Sequence, residues 1–150
     1  MTTDPSATGS PGAVRLVDIR DTALDVAEVL AALDDDAAGG LTLFVGRVRD
    51  HDGGKTVRTL DYTAHPSALQ RLREVCERVA AEHRVHAVAA VHRVGALTIG
   101  DLAVVVATTA SHRGDAFEAS RALIDTLKSE VPIWKHQRFV SGEEEWVGTP

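Results

Sequence analysis

Two apolar, β-rich runs, Val85 to Val94 and Leu102 to Ala110, follow one another with only Gly95 and Gly100 to punctuate the gap. No helical stripe separates them, so the regular strand–helix–strand rhythm of a doubly wound sheet is broken here. Further strand-like runs are Val14 to Ile19, Leu41 to Val48, Thr56 to Ala64 and Ile133 to Val140, with a short Trp146-Val147 segment after the Ser141-Gly142 turn. Gly46 inside the second of these marks a bulge or a close backbone approach. Val57, Leu60 and Tyr62 are its neighbour's packing candidates, and Arg49 to Lys55 reads as a polar loop. Three segments carry helical spacing. The first, capped by Asp21 or Thr22, bears Leu24, Ala27, Val29, Leu30 and Leu33. The second starts at Pro66, runs to about His83 and bears Leu69, Leu72, Cys76, Val79 and Ala80. The third, capped by Ser111 and stopped by Pro132, bears Phe117, Ser120, Leu123, Ile124 and Leu127. The pattern predicts one α+β domain over residues 13–150, with mixed and antiparallel strands and about three helices. Residues 1–12, rich in Thr, Ser, Pro and Gly, are expected to be a disordered tail.

A chain of 150 residues with 44% hydrophobic and 25% charged residues has the profile of an ordinary globular domain. Its net charge of -6 argues against nucleic acid and anionic membranes as partners, so its 16 Lys and Arg matter by position. The one cysteine, Cys76, forms no internal disulfide and belongs to no Cys-x-x-Cys pair, which points to a reducing cytoplasmic setting. The N-terminus has no signal-peptide pattern, and no apolar run reaches the ~20 residues of a membrane span. His51, His65, His83, His86, His92 and His136 follow no zinc spacing, so no metal site is expected.

Three polar groupings can carry chemistry. Ser111-His112-Arg113 stands where a strand gives way to a helix, and free N–H groups there suit a phosphate. A solvated arginine and a loop histidine fit the same spacing. Arg47 and Arg49 flank Val48 and share one face of a strand. Like charges so placed need an anion, either a ligand phosphate or an acid such as Asp50 or Asp52. Lys128 falls in a last helical turn, where a cation suits the helix dipole. Lys135 follows Trp134, whose ring can shield it, and a partly dehydrated lysine in a cationic site can act as base or nucleophile.

Taken in order, the stretches LTLFVGRVRDHDGGKTVRTLDY, VHRVGALTIGDLAVVVATTASHRGDAFEAS, IDTLKSEVPIWKHQ and GEEEWV resemble the large, catalytic subunits of molybdopterin synthases, the MoaE family. The resemblance covers about residues 39–147. It implies an α/β-hammerhead type of fold and a sulfurtransferase activity with no cofactor of its own. The substrate would be cyclic pyranopterin monophosphate, which receives two sulfurs as a dithiolene. The sulfur would arrive as a thiocarboxylate on the C-terminal Gly-Gly of a small ubiquitin-like subunit. The assembly would be a homodimer within a heterotetramer. A non-catalytic homologue that binds the same kind of tail is the alternative.

Carried over by position, Lys128 and Lys135 match the family's two active-site lysines. Arg49 matches its motif arginine, Arg47 a position often basic, and His112 with Arg113 its substrate-contacting pair. Val48, His136 and Gln137 complete the expected substrate-binding set. The resemblance also implies that the site forms partly across the dimer. Two departures stand out. His136-Gln137 replaces the family's basic residue followed by Glu, so a carboxylate is missing beside Lys135. Tyr62 to His65 lacks the family's usual Glu and second Tyr.

Overall fold

The computed structural model describes residues 11–148. The tail expected over residues 1–12 lies outside that range, except that Pro11 and Gly12 enter a one-turn 3-10 helix, Pro11–Ala13. There follow β1 (Val14–Arg20), α1 (Val26–Ala32), β2 (Gly40–Arg47), β3 (His51–Asp52), β4 (Lys55–Ala64) and α2 (Ala68–Glu82). The second half comprises β5 (Ala87–Arg93), β6 (Gly95–Leu97), β7 (Leu102–Ala110), α3 (Arg113–Glu130), β8 (Ile133–Phe139) and β9 (Glu144–Val147).

These strands form two sheets. The first has the order β1-β5-β7-β2; β1 runs parallel to β5, and the other pairs are antiparallel. The second has the order β3-β4-β8-β9, with β6 also on β4, and is antiparallel throughout. The α+β class and the three helices are therefore as the pattern requires.

The central strands of the first sheet are buried on both faces. Val88, Ala90, Val104 and Val106 pack against α2 and α3 through Leu72, Cys76, Val79, Leu123 and Leu127. Their alternate neighbours Ala87, Ala89, Val91, Val105 and Ala107 meet Val29 and Leu33 of α1. Strand side chains alternate between faces, so double burial requires an unbroken apolar run.

Several local expectations are corrected. Helix α1 is capped by Asp25, whose carboxylate accepts from the Ala27 N–H at 2.9 Å, and Leu24 packs just before it. Helix α2 has Ser67 as its cap, leaving Pro66 outside, and its Leu69 is exposed while Ala68 and Val75 are buried. Helix α3 is capped at His112, because Ser111 Oγ instead bonds His86 Nε2 at 2.8 Å. Phe117 is 60% exposed, and small Ala116 and Ala119 let α3 approach the sheet in its place. The proline stop holds: Val131, before Pro132, is extended with φ -84 and ψ 123.

Two glycine features bear on the site. The β2–β7 register shifts between Gly46 and Arg47, and a Cβ at Gly46 would lie 2.6 Å from Val104 Cγ1. The segment expected to be a polar loop contains the β3–β4 hairpin, turned by Gly53 (φ 56) and Gly54 (φ 79), which take the left-handed conformations of a two-residue turn.

Leu123 is fully buried between α3 and the sheet. Leu123→Ala should lower unfolding free energy by about 2–5 kcal/mol in a denaturant titration, the usual result of emptying such a site.

Candidate active site

A small apolar cluster joins the two sheets: Val48 after β2, Leu60 on β4, Leu97 on β6 and Ala103 on β7, with Tyr62 packed against it. Backbone bonds pin its first member, since Val48 N–H donates to Asp101 O at 3.0 Å and Gly100 N–H to Val48 O at 2.9 Å. On this base lies a cleft of about 40 Å³ lined by Arg47, Val48, Arg49, Asp52, Tyr62, Lys135 and Gln137 among others. Strand β2 ends at Arg47, so Arg49 is not on its face as expected, yet both arginines reach the cleft. Strand pairing sets Lys135 opposite Tyr62 and Gln137 opposite Leu60.

Lys128 occupies the last turn of α3. Its surroundings strip enough water to draw its ammonium pKa down, and the charge on Lys135 acts in the same direction. The charge of Lys135 thus acts on Lys128 across the α3–β8 junction.

His92 went unassigned in the sequence beyond its lack of a zinc pattern. It is 2% exposed, and its Nδ1–H donates to the Arg93 carbonyl at 2.7 Å. Tyr62 meets the imidazole edge-on, with centroids 4.9 Å apart. Burial pushes the His92 pKa down to about 4, and the positive charge of Lys128 adds to the effect. A neutral histidine therefore backs the tyrosine that lines the cleft. Its position within a continuous apolar run was the available signal.

Gln137 is buried, and its Nε2–H donates to Asp52 Oδ2 at 2.7 Å. Arg49 reaches the other oxygen of Asp52 at 3.3 Å. The Gln137 hydrogen bond, with the charges of Lys135 and Arg49, holds the Asp52 carboxyl below its ordinary pKa. His136 points elsewhere, stacking on Trp146 with centroids 4.3 Å apart. Its Nε2 is buried without a hydrogen-bond partner, and Glu144 Oε1 is 3.7 Å away.

His112 and Arg113 do not join this group within one chain. They are exposed at the start of α3, whereas Lys128 is in its last turn. Sixteen residues of helix correspond to ~24 Å. The cleft, about 40 Å³, is also far smaller than the ~300 Å³ of a typical small-molecule pocket.

Arg47, Arg49, Lys135 and Asp52 gathered on an apolar seam, with the lowered-pKa Lys128 coupled to them through Lys135, define a charged site in an α+β protein. The family model described as MoaE protein matches residues 19–130, and the chain belongs to that family. It is 45% identical over 138 residues to molybdopterin synthase catalytic subunit 1 of Mycobacterium tuberculosis, covering 91% of this chain and 93% of that one. Molybdopterin synthase catalytic subunit of Bacillus subtilis is 34% identical over 132 residues, covering 87% and 83%. The crystal structure of molybdopterin synthase from Staphylococcus aureus superposes with a TM-score of 0.82 at 28% identity, covering 89% and 97%.

The depressed pKa of His92 has a signed consequence. Its neutral form contributes stability above the unfolded pKa of ~6.5, and that stability is lost as pH falls towards about 4. Between pH 7 and 4 this one group should remove about 3 kcal/mol, by the pKa difference. His92→Gln should flatten that part of the stability–pH curve in parallel urea titrations of the two proteins.

Proposed function

We propose that this chain is the catalytic large subunit of a molybdopterin synthase, moving sulfur from a thiocarboxylated small ubiquitin-like subunit to cyclic pyranopterin monophosphate. The observation that carries this reading is the coupling of Lys128, its pKa lowered by lost hydration, to Lys135 beside a cleft lined by Arg47 and Arg49. A phosphate-bearing substrate and a carboxyl-terminal tail both need cations. A lysine that loses its proton readily can serve as base or nucleophile.

Lys128 attacks or positions the thiocarboxylate carbonyl, or moves protons as sulfur adds to the pterin side chain. Lys135 stabilises developing negative charge or holds the tail. Arg47, Arg49, His112 and Arg113 bind the anionic substrate, with Val48 and Gln137 forming cleft wall. His136, stacked on Trp146, does not line this cleft within one chain. The chain's own thiol is unsuited to donate the sulfur, because burial pushes Cys76 up to about 12 and keeps it protonated. A free buried thiol also fits a cytoplasmic setting.

The same reading includes a homodimer whose sites draw on both copies. Strand β2 is the edge of its sheet, and Leu41, Leu43 and Phe44 on it are exposed. Its first residue, Gly40, lies against Arg113, and its last is Arg47 in the cleft. A two-fold, antiparallel meeting of two such edges would bring Arg113 of one copy towards Arg47 of the other. With a small subunit on each end, the assembly is a heterotetramer.

Mixing the protein with a thiocarboxylated small subunit and the cyclic precursor should yield molybdopterin; folded protein that gives no product would sink the reading. Lys128→Ala should keep its melting temperature and small-subunit affinity but lose about 10²- to 10⁴-fold in turnover. Co-expressed Arg113→Ala and Lys128→Ala chains test the shared site. Each mixed dimer should regain about one of its two sites, by two-fold symmetry. No recovery would place both residues' work within one chain.

A further inference from the structure

We propose that Asp52 is the counter-charge of this cleft, a positioning residue that Gln137 clamps in place so that it orients Arg49 and faces Lys135. The inference deepens the proposed function and rests on it. Among the described residues that line the cleft, Asp52 is the one carboxylate, beside Arg47, Arg49 and Lys135. It stands at the end of β3, next to the Gly53-Gly54 turn that leads into β4, the strand paired with β8. Its two oxygens have different partners: Oδ2 accepts from Gln137 Nε2 at 2.7 Å, and Oδ1 faces Arg49 at 3.3 Å.

The chemistry of position 137 makes this arrangement directional. An ionised carboxylate only accepts hydrogen bonds, so the buried partner must be a donor. The Gln137 amide is a neutral donor and leaves the negative charge on Asp52 intact. A glutamate at 137 would set two carboxylates at hydrogen-bonding distance, and they would share a proton. The neutral amide at 137 and the carboxylate at 52 are therefore chemically matched. The cleft keeps one negative charge, delivered from the hairpin rather than from β8. Without it, Arg49, whose side chain is 70% exposed, loses its ion-pair partner.

The test moves the charge across the hydrogen bond. Asp52→Asn should lower kcat/KM by about tenfold to a hundredfold, the range for losing a hydrogen-bonded charge, without a matching loss of folded protein. Gln137→Glu should be most active at acid pH, where its protonated carboxyl still donates to Asp52. Its activity should fall as pH rises and both carboxyls ionise, a limb that the neutral amide of the wild type cannot produce. The double variant, Asp52→Asn with Gln137→Glu, should recover to within about threefold of wild type and lose that limb, since coupled sites depart from additivity. Multiplicative losses in the double variant would overturn the proposal. So would a Gln137→Glu profile like the wild type's, or activity that merely tracks melting temperature in the same buffers.

A second measurement needs no turnover. The Gln137 side-chain amide signals in an NMR titration should move with one acidic ionisation, and Asp52→Asn should abolish that movement. Amide signals that ignore Asp52 would refute the clamp. Wild-type protein that makes no molybdopterin would refute the proposed function instead.

Discussion

Val48, Leu60, Leu97 and Ala103 bury one another where the two sheets meet, and the charged cleft depends on that seam. Val48, Leu60 and the tyrosine packed against them each hold a polar neighbour in place. Val48 stands between Arg47 and Arg49, Leu60 pairs across the sheet with Gln137, and Tyr62 packs on the cluster opposite Lys135. The cations would move apart if only their own charges governed their positions. Apolar burial and the backbone bonds of Val48 hold them together instead, so the field in the cleft is fixed before any anion arrives.

The doubly buried strands β5 and β7 were legible because their apolar runs are unbroken, and the end of α3 because Pro132 follows it. The faces of the helices were read less well. Leu69 and Phe117 are bulky yet exposed, while Ala68, Ala116 and Ala119 make the contacts. Periodicity counts apolar residues but does not register how closely a helix approaches a sheet. Capping failed for a related reason: Ser111 bonds His86, a partner 25 residues away that local sequence does not reveal. At the cleft, the arginine pair and Lys135 emerged from spacing and resemblance together. Gln137 read as a lost carboxylate, because Asp52 lies 85 residues away in sequence and within hydrogen-bonding distance in space.

Helix α3 works as a ruler. Its 18 residues, ~27 Å of helix, keep Arg113 and Lys128 in different neighbourhoods of one chain. The buried face running through Ala119, Leu123 and Leu127 locks it on the sheet, so bending cannot close that gap. A site that uses both residues needs two copies. In the proposed homodimer the edge strand β2, with Gly40 against Arg113 and Arg47 in the cleft, would carry the second copy.

The two lysines are electrostatically unequal. Asp52 bears on Lys135 from the hairpin, and their opposite charges attract. On Lys128 the influences run one way: lost hydration and the Lys135 charge both disfavour its protonated form. In the proposed reaction, a lysine whose ammonium form is disfavoured suits the nucleophile or base. The lysine faced by a carboxylate suits the standing positive charge that binds an anionic tail. His92 fits the same division, since burial keeps it neutral and it adds no competing charge behind Tyr62. An added negative charge near Lys128 would work against this asymmetry, because it would favour the ammonium form the reaction must leave.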